Sequence, residues 1–558
     1  MPGTGFRSQF SRRGFVRGAA ALGASAVGVS AFAGCGSDGT GESSSSDDGG
    51  SDVGSGVRGG ELELPTYQRA EVVVPDLPGS AEGVPEGYFS YPRPAEPAAG
   101  GPPGSGGVVT AMLGAVGPVP PNVGQNPWWQ GLNERLGVDL QVNMTPVADY
   151  GARLNTVIAG GDLPDLVQIF GVARLPDVME AEFEDLTEYL AGDGVLDYPF
   201  LANLPTVGWQ ATVFNSKIYA VPPQNTVKTV SWLTRLDLID ELGANPQPGD
   251  ADEFFDFCLD VTDAAANRYA SAAPAEVLNR VARAMFDAPW QWGVDDDGAF
   301  VHMYETEEYR AALEYTARLW DAGVFHPDSF GSVNLLEFFK GGTTVLHNQG
   351  GNGYRAILDE NIPGLRMGIF TPPMADGGGP ARAELGTGTY RITAIRKQDS
   401  QERVRELLEL LNYLAAPFGS EEYLYLQYGD ENVHYTWDED LQAPVRTEQD
   451  GELIPVRFLA GAPQVFFDPG HAEFSKAMHE HHSEAIPGGV QDDSARLYSE
   501  TNDRQASSLF QPLNGLRNDI VQGRNTLDDW DKAIEDWRAS GGDQIREEFE
   551  IAHAEFDV

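Results

Sequence analysis

Leu154-Asn-Thr-Val-Ile-Ala-Gly160-Gly161-Asp162-Leu163-Pro164-Asp165-Leu166-Val167 spells a helix stopped by paired glycines, a turn stiffened by proline and the start of a buried strand. The same alternation recurs on either side. Residues 108–113 predict a short strand, Asn126 offers a cap for an amphipathic helix ending at Leu136, 138–143 predict a second strand, 150–159 a second helix and 166–170 a third strand. Strands alternating with helices imply a parallel sheet, hence an α/β fold. Two further predicted strands, 218–222 and 229–233, flank Pro222-Pro223-Gln224-Asn225, which reads as a crossing between lobes. Beyond it come helices at 236–242, 251–261, 275–286, 306–322 and 335–340, with strands at 343–347 and 366–370 belonging to a second unit. Residues 390–395 predict a strand returning to the first. Residues 507–553 read as helical, with Trp530 and Trp537 seven apart on one apolar face.

With 558 residues the chain exceeds the size at which one core keeps growing, so at least two lobes are expected, and 41% apolar residues suffice for both cores. The formal charge of -47 argues against nucleic acid as a partner, because phosphate binding needs clustered Lys and Arg. It equally disfavours adsorption to anionic lipid without a covalent anchor. Such an anchor is written into the N-terminus. Ser11-Arg12-Arg13-Gly14-Phe15-Val16-Arg17, a mildly apolar run and Phe32-Ala33-Gly34-Cys35 resemble a twin-arginine export signal joined to a lipoprotein cleavage site. The run 18–33 is too short to span a bilayer, which needs about 20 apolar residues. Residues 1–34 are therefore expected to be removed, leaving Cys35 as the lipid-bearing first residue. They hold four arginines and no acid, so the mature charge becomes -51. Residues 35–60, rich in Gly, Ser and Asp, predict a disordered tether reaching about 25–30 Å. Residues 61–106, rich in Pro and Gly with scattered aromatics, predict an extended segment strapped over a surface. Cys258, set among apolar residues at helical spacing, predicts a buried thiol.

The 154–167 segment, in its position, resembles the block that marks extracellular solute-binding proteins of ABC importers. Lys217-Ile218-Tyr219-Ala220-Val221-Pro222, Trp232-Leu233-Thr234-Arg235-Leu236-Asp237, Asp252-Glu253-Phe254 and Gln427-Tyr428-Gly429 resemble that family's successive blocks. The tail from Asp529-Trp530-Asp531 to Ser540-Gly541-Gly542-Asp543 is similar to the large lipoprotein subgroup typed on aldouronate and alginate oligosaccharides. The resemblance implies a two-lobed, type II periplasmic-binding fold closing by a hinge on an oligosaccharide, delivered to a permease of the membrane. It implies binding without catalysis, no cofactor, a monomer, and a location outside the cytoplasm at the outer face of the cell membrane. The lobes are then expected as 107–225 and 371–430 for the first, 226–370 and 431–558 for the second. A membrane-kinase ligand sensor and an exported glycoside hydrolase are the competing readings; the latter would need two carboxylates about 5–9.5 Å apart. That subgroup often carries an EF-hand-like calcium loop, but here the stretch reads Asp263-Ala264-Ala265-Ala266-Asn267-Arg268-Tyr269-Ala270-Ser271, with alanines in place of ligands. Asp295-Asp296-Asp297-Gly298 predicts a hairpin turn, and His479-Glu480-His481-His482 a solvated helix rather than a metal site.

Sugars present apolar CH faces and hydroxyls, so their sites pair aromatic platforms with planar amide and guanidinium groups. In open α/β sheets ligands bind beyond the carboxyl ends of the strands, which selects loops. The candidates are Asn126, Trp128, Phe170, Gln224, Asn225, Trp290, Trp292, Asn352, Tyr354, Tyr390 and Arg391. For each aromatic, ordinary core packing is the competing expectation.

Overall fold

The computed structural model describes residues 62–556, apart from 296, 297 and 332. The expected signal peptide, the lipid-bearing Cys35 and the tether at 35–60 lie outside the described residues. The predicted alternation is realised as β1 (Val108–Ala115), α1 (Pro127–Leu136), β2 (Asp139–Pro146), α2 (Val147–Gly160), β3 (Leu166–Ile169) and, after short helices, β4 (Ala220–Val221). The chain then builds a second sheet from β5 (Val230–Arg235), β6 (Leu346–Gly350) and β7 (Met367–Phe370), and returns as β8 (Ile392–Ile395).

The first sheet has the order β2-β1-β3-β8-β4. β1 runs parallel to β2 and β3, whereas β8 is antiparallel to both β3 and β4, with Ala394 opposite Val167 on one side and Ala220 on the other. A strand that arrives from the far lobe enters the sheet from the opposite end, so its direction is reversed. The second sheet, β6-β5-β7, is antiparallel throughout.

Local chemistry sets the element ends. Asn126 accepts from the Trp129 amide and Pro127 occupies the first turn of α1, while Gly137 closes it in the left-handed region. Such a cap contributes about 1 kcal/mol. Gly161, φ 72°, ends α2 as the paired glycines predicted. Both faces of the first sheet are covered. One packs Trp128, Trp129, Leu132 and Trp209 together with α3 (Gln401–Leu414) and α4 (Glu421–Tyr428); the other packs Tyr150, Leu154, Met179 and Phe214. In the second lobe an aromatic-rich core joins Phe254, Phe257, Tyr309 and Phe370 to the C-terminal helices α6 (Glu500–Val521) and α7 (Leu527–Trp537), which bury Trp530 and Trp537. The opposite side of its sheet is covered by α5 (Ala472–Ala485).

The crossings fall elsewhere than at residues 371 and 431. Ala375 donates to Met285 and Glu384 pairs with Arg280, so the chain stays with the second lobe until about residue 385. Residues 454–460 still pack in the first lobe's core, and Phe466 is the first residue of the following run inside the second lobe's. The boundaries were hidden because a hairpin (Tyr435–Asp438 with Ala443–Arg446) and loop segments, which have no period, fill the interval. Residues 62–106 form an extended strap, as expected: Thr66 and Gln68 donate to Gly192 and Ala202 of the first lobe, Tyr88 donates to the Phe466 carbonyl while Phe466 donates to that of Glu86, and Gly104 donates to the Leu136 carbonyl. His479 on α5 contacts the Pro78 carbonyl at 2.8 Å. The four-residue histidine cluster is helical, as expected, but only Glu480 is fully open to solvent. His482 is buried against Phe466, and His481 meets Thr371.

Candidate ligand-binding site

Besides the strap, which touches both lobes, three segments cross between the lobes at the hinge among the described residues. At residues 222–229 and 385–391 two of them lie side by side: Gly386 donates to Val227, Asn225 to Gly388 and Tyr390 to Pro223. Gly388 has φ +73°, and a Cβ there would stand 2.7 Å from the Val207 side chain, so glycine is required at this contact. The third, 461–466, joins them where the Gln464 amide donates to Asn225 Oδ1.

Against this hinge opens a cavity of about 740 Å³ walled by both lobes. The first lobe and hinge contribute Gln224, Asn225, Tyr390, Tyr428, Arg457 and Phe458; the second contributes Asn352, Arg355 and Asp359. Its volume is within the range of a small-molecule site.

A ladder of stacked groups runs up to the first-lobe wall; its Tyr390, Phe458 and Arg457 line the cavity, whereas Phe170 and Arg391 lie outside the lining. Phe170 stacks on the buried Tyr150 at 4.6 Å, the Arg391 guanidinium lies 3.4 Å from the Phe170 ring centre and 4.5 Å from that of Tyr390, Tyr390 stacks on Phe458 at 5.3 Å, and Arg457 lies 5.0 Å from the Phe458 ring. Gly114 at the end of β1 makes room for it, because a Cβ there would meet Phe170 at 3.2 Å and Arg391 at 3.4 Å. Burial pushes the Arg391 pKa down, and burial with the repulsion of Arg446 and Arg355 does the same for Arg457. Both remain cations, since an arginine is not deprotonated in proteins. On the opposite wall Arg355 is committed: its Nε donates to Asp468 at 2.9 Å and its Nη2 to the Val465 carbonyl at 2.7 Å. Asp468 also accepts from Ser475 and Tyr354. Asp359 is raised by burial.

The structure therefore brings Phe170, Gln224, Asn225, Asn352, Tyr390 and Arg391 to the cleft or its ladder. It takes four other candidates away. Asn126 is fully buried as the cap of α1, and its Nδ2 donates to the Glu452 carbonyl. Trp128 is fully buried, stacked on Tyr425 with Nε1 donating to that residue's carbonyl at 3.1 Å. Trp292 packs among His302, Trp537 and Phe549. Tyr354 is buried with Phe474, its hydroxyl on Asp468. Trp290 is half-buried beneath Arg280 and Arg283, outside the residues that wall the cavity. Arg457 and Phe458 were missed, although the Gly461-Ala462-Pro463-Gln464 turn just beyond them carries the loop chemistry that marks a crossing.

Residues 130–422, more than half of the chain, match the family described as bacterial extracellular solute-binding protein. The chain belongs to this family. Membership as an extracellular solute-binding protein agrees with a two-lobed α/β architecture and sets the protein outside the cytoplasm. Its relatives include the polygalacturonan/rhamnogalacturonan-binding protein YtcQ of Bacillus subtilis (strain 168), 22% identical over 442 residues, which cover 75% of this chain and 86% of that one. Lipoprotein LipO of the same organism is 20% identical over 475 residues, 79% and 91% of the respective chains. Among solved structures, the N-glycan transport solute-binding protein NgtS of Streptococcus pneumoniae superposes with a TM-score of 0.60 at 14% identity, over 80% of this chain and 98% of that one. That likeness carries the fold.

Proposed function

We propose that this solute-binding protein captures an oligosaccharide between its lobes and hands it to a membrane permease, breaking no bond. The observation that carries the reading is the cavity of about 740 Å³ at the hinge, where aromatic rings, amides and guanidinium groups converge. Rings stack on the CH faces of pyranoses and planar polar groups meet their hydroxyls. YtcQ is a polygalacturonan/rhamnogalacturonan-binding protein and NgtS an N-glycan transport solute-binding protein, which supports a saccharide without choosing its kind. A hydrolase reading finds little to work with. Of the two carboxylates walling the cavity, Asp468 is spent on Arg355, Ser475 and Tyr354. The N-terminal segment serves export through a twin-arginine route and lipid attachment at Cys35, and the body acts as a monomer.

A permease must be able to reopen the closed complex, so affinity is expected near micromolar, about -8 kcal/mol. The test is a thermal-shift screen of the chain lacking residues 1–34 against saccharides of several classes. A ligand at about 100 times its Kd stabilises the folded state by about 2.7 kcal/mol and raises the Tm. Release of new reducing ends from a bound saccharide would overturn the reading.

A further inference from the structure

Away from the hinge the two lobes touch again. β3 ends at Ile169 and leads into Phe170, a rung of the ladder; the chain then turns through Gly171 to Arg174, whose amide donates to Asp503 Oδ2 on α6 of the second lobe at 2.9 Å. Residues 171–174 leave the carboxyl end of a strand, the side on which ligands bind in open α/β sheets, so the contact spans the mouth of the cleft and not the rear of the hinge. Each half of it is prepared within its own lobe. Arg174 lies in the left-handed region, φ 54° and ψ 45°, at the start of the helix Leu175–Glu182, to which its side chain gives no cap. Its guanidinium turns instead to Asp177 in the same lobe. The positive end of this helix, where a capping oxygen is favourable, is met by a carboxylate from the other lobe. Asp503 is held in place for that meeting: the Tyr498 hydroxyl donates to the same oxygen at 3.1 Å, and the Asp503 amide donates to the Ser499 carbonyl in the first turn of α6. A contact that exists in one of two states shifts the balance towards that state. This one can form only where the lobes have folded together.

We propose that Asp503 is a positioning residue for closure: by accepting from Arg174 it latches the mouth of the cleft, so that a share of the molecules stands closed before any ligand arrives. It acts through the loop that carries Phe170 and lies outside the cavity wall. The latch must part for a ligand to enter and re-forms over it, so it slows both entry and escape. The inference concerns the movement of the lobes and holds for any class of ligand.

The test places nitroxide labels at two exposed positions, Thr156→Cys on α2 of the first lobe and Lys532→Cys on α7 of the second, in the chain lacking residues 1–35, whose remaining thiol, Cys258, is buried. Pulsed electron paramagnetic resonance then measures the separation of the labels with no ligand present. Wild type is expected to show a short and a long population. Asp503→Ala should lower the ratio of short to long by about tenfold or more, the scale of one charge-assisted hydrogen bond, while its melting temperature stays near wild type. Asp503→Asn keeps an acceptor oxygen and should retain part of the closed population. Tyr498→Phe removes the bond within the second lobe but leaves the acceptor for Arg174, so it should shift the ratio less than Asp503→Ala. A wild type that shows the long population alone, or Asp503→Ala with the wild-type ratio, overturns the latch. Equal shifts in Tyr498→Phe and Asp503→Ala would assign the effect to packing within the second lobe and overturn it as well. Because no ligand is present, each of these outcomes leaves the saccharide reading untouched.

Discussion

His302 makes the second lobe sensitive to acid, and the size of the effect follows from where the ring sits. It is buried among Trp292, Tyr304, Phe510 and Trp537, and its Nδ1 accepts from the Tyr304 amide at 3.2 Å. Burial, with Arg546 repelling a second positive charge, lowers its pKa from 6.5 to about 3. The folded state therefore refuses a proton that the unfolded chain accepts. The stability this represents is complete above pH 6.5 and is lost as pH falls from 6.5 towards 3. At pH 5 the unfolded form gains about 2 kcal/mol from protonating this residue, at 1.36 kcal/mol per unit. His481, lowered to about 3 by burial and by Lys228, adds a similar loss. Asp492 works the other way. Burial raises it to about 6, so lowering the pH from 8 to 5 returns about 1 kcal/mol. These three groups together give an expected loss of about 3 kcal/mol between pH 8 and pH 5, and His482, held well below its usual range by burial, adds to it in the same direction; typical totals are about 5–15 kcal/mol. Urea unfolding followed by tryptophan fluorescence at the two pH values measures it. His302→Asn keeps a cap acceptor and removes the titration, so it should lower stability at pH 8 but shrink the pH-dependent loss by about 2 kcal/mol. The reasoning is refuted if wild type is equally stable at both pH values, or if the variant shows the same slope.

Trp128→Ala and Trp292→Ala should each cost about 3–5 kcal/mol of folding free energy while ligand affinity in the surviving folded fraction is unchanged, because both rings are buried away from the cavity; selective loss of binding at normal stability would move them back to the site. Tyr390→Ala, a residue 38% exposed beside the hinge, should behave in the opposite manner, weakening saccharide binding by about 1–3 kcal/mol, the magnitude known for base stacking on aromatic side chains, with little change in melting temperature. Chelator should leave the melting temperature unaltered: Asp263 uses its carboxylate to accept from the Ala265 and Ala266 amides, and alanines follow where calcium would need oxygen. A fall on adding EDTA that calcium restores would show a site there. Cys35→Ala should move the protein from the membrane fraction to the medium if the thiol carries the acyl chains that hold it.

The α/β order was legible because each buried strand is an apolar run and each helix carries its own start and stop, as Asn126, Pro127 and Gly161 show. Four of the eleven candidate residues, Gln224, Asn225, Asn352 and Tyr390, wall the cavity, and Phe170 and Arg391 stack beside it, for a related reason: loops at strand ends and at Pro-Gly crossings are positioned by the sheet that precedes them. Trp128 and Trp292 misled because an aromatic beside a turn carries no mark of which side it faces. Trp128 was claimed by α4, a helix almost 300 residues later, through a stack and two hydrogen bonds with Tyr425. Arg457 and Phe458 were illegible for the converse reason. Their segment has no period, and they acquire meaning only when the chain lays Phe458 against Tyr390, a residue from another crossing. The histidines of α5 were judged by polarity, yet the helix packs over the second sheet and buries His482.

The number of connections at the hinge limits how the lobes can move. Two neighbouring strands would let one lobe twist about their shared axis as well as fold towards the other. A third connection, tied to the first through Gln464 and Asn225, adds a restraint on that twist, and the strap, bonded to Gly192 in one lobe and Phe466 in the other, adds another. What remains is a folding motion along one path. The same wall of the first lobe is then presented to the same wall of the second whenever the lobes fold together.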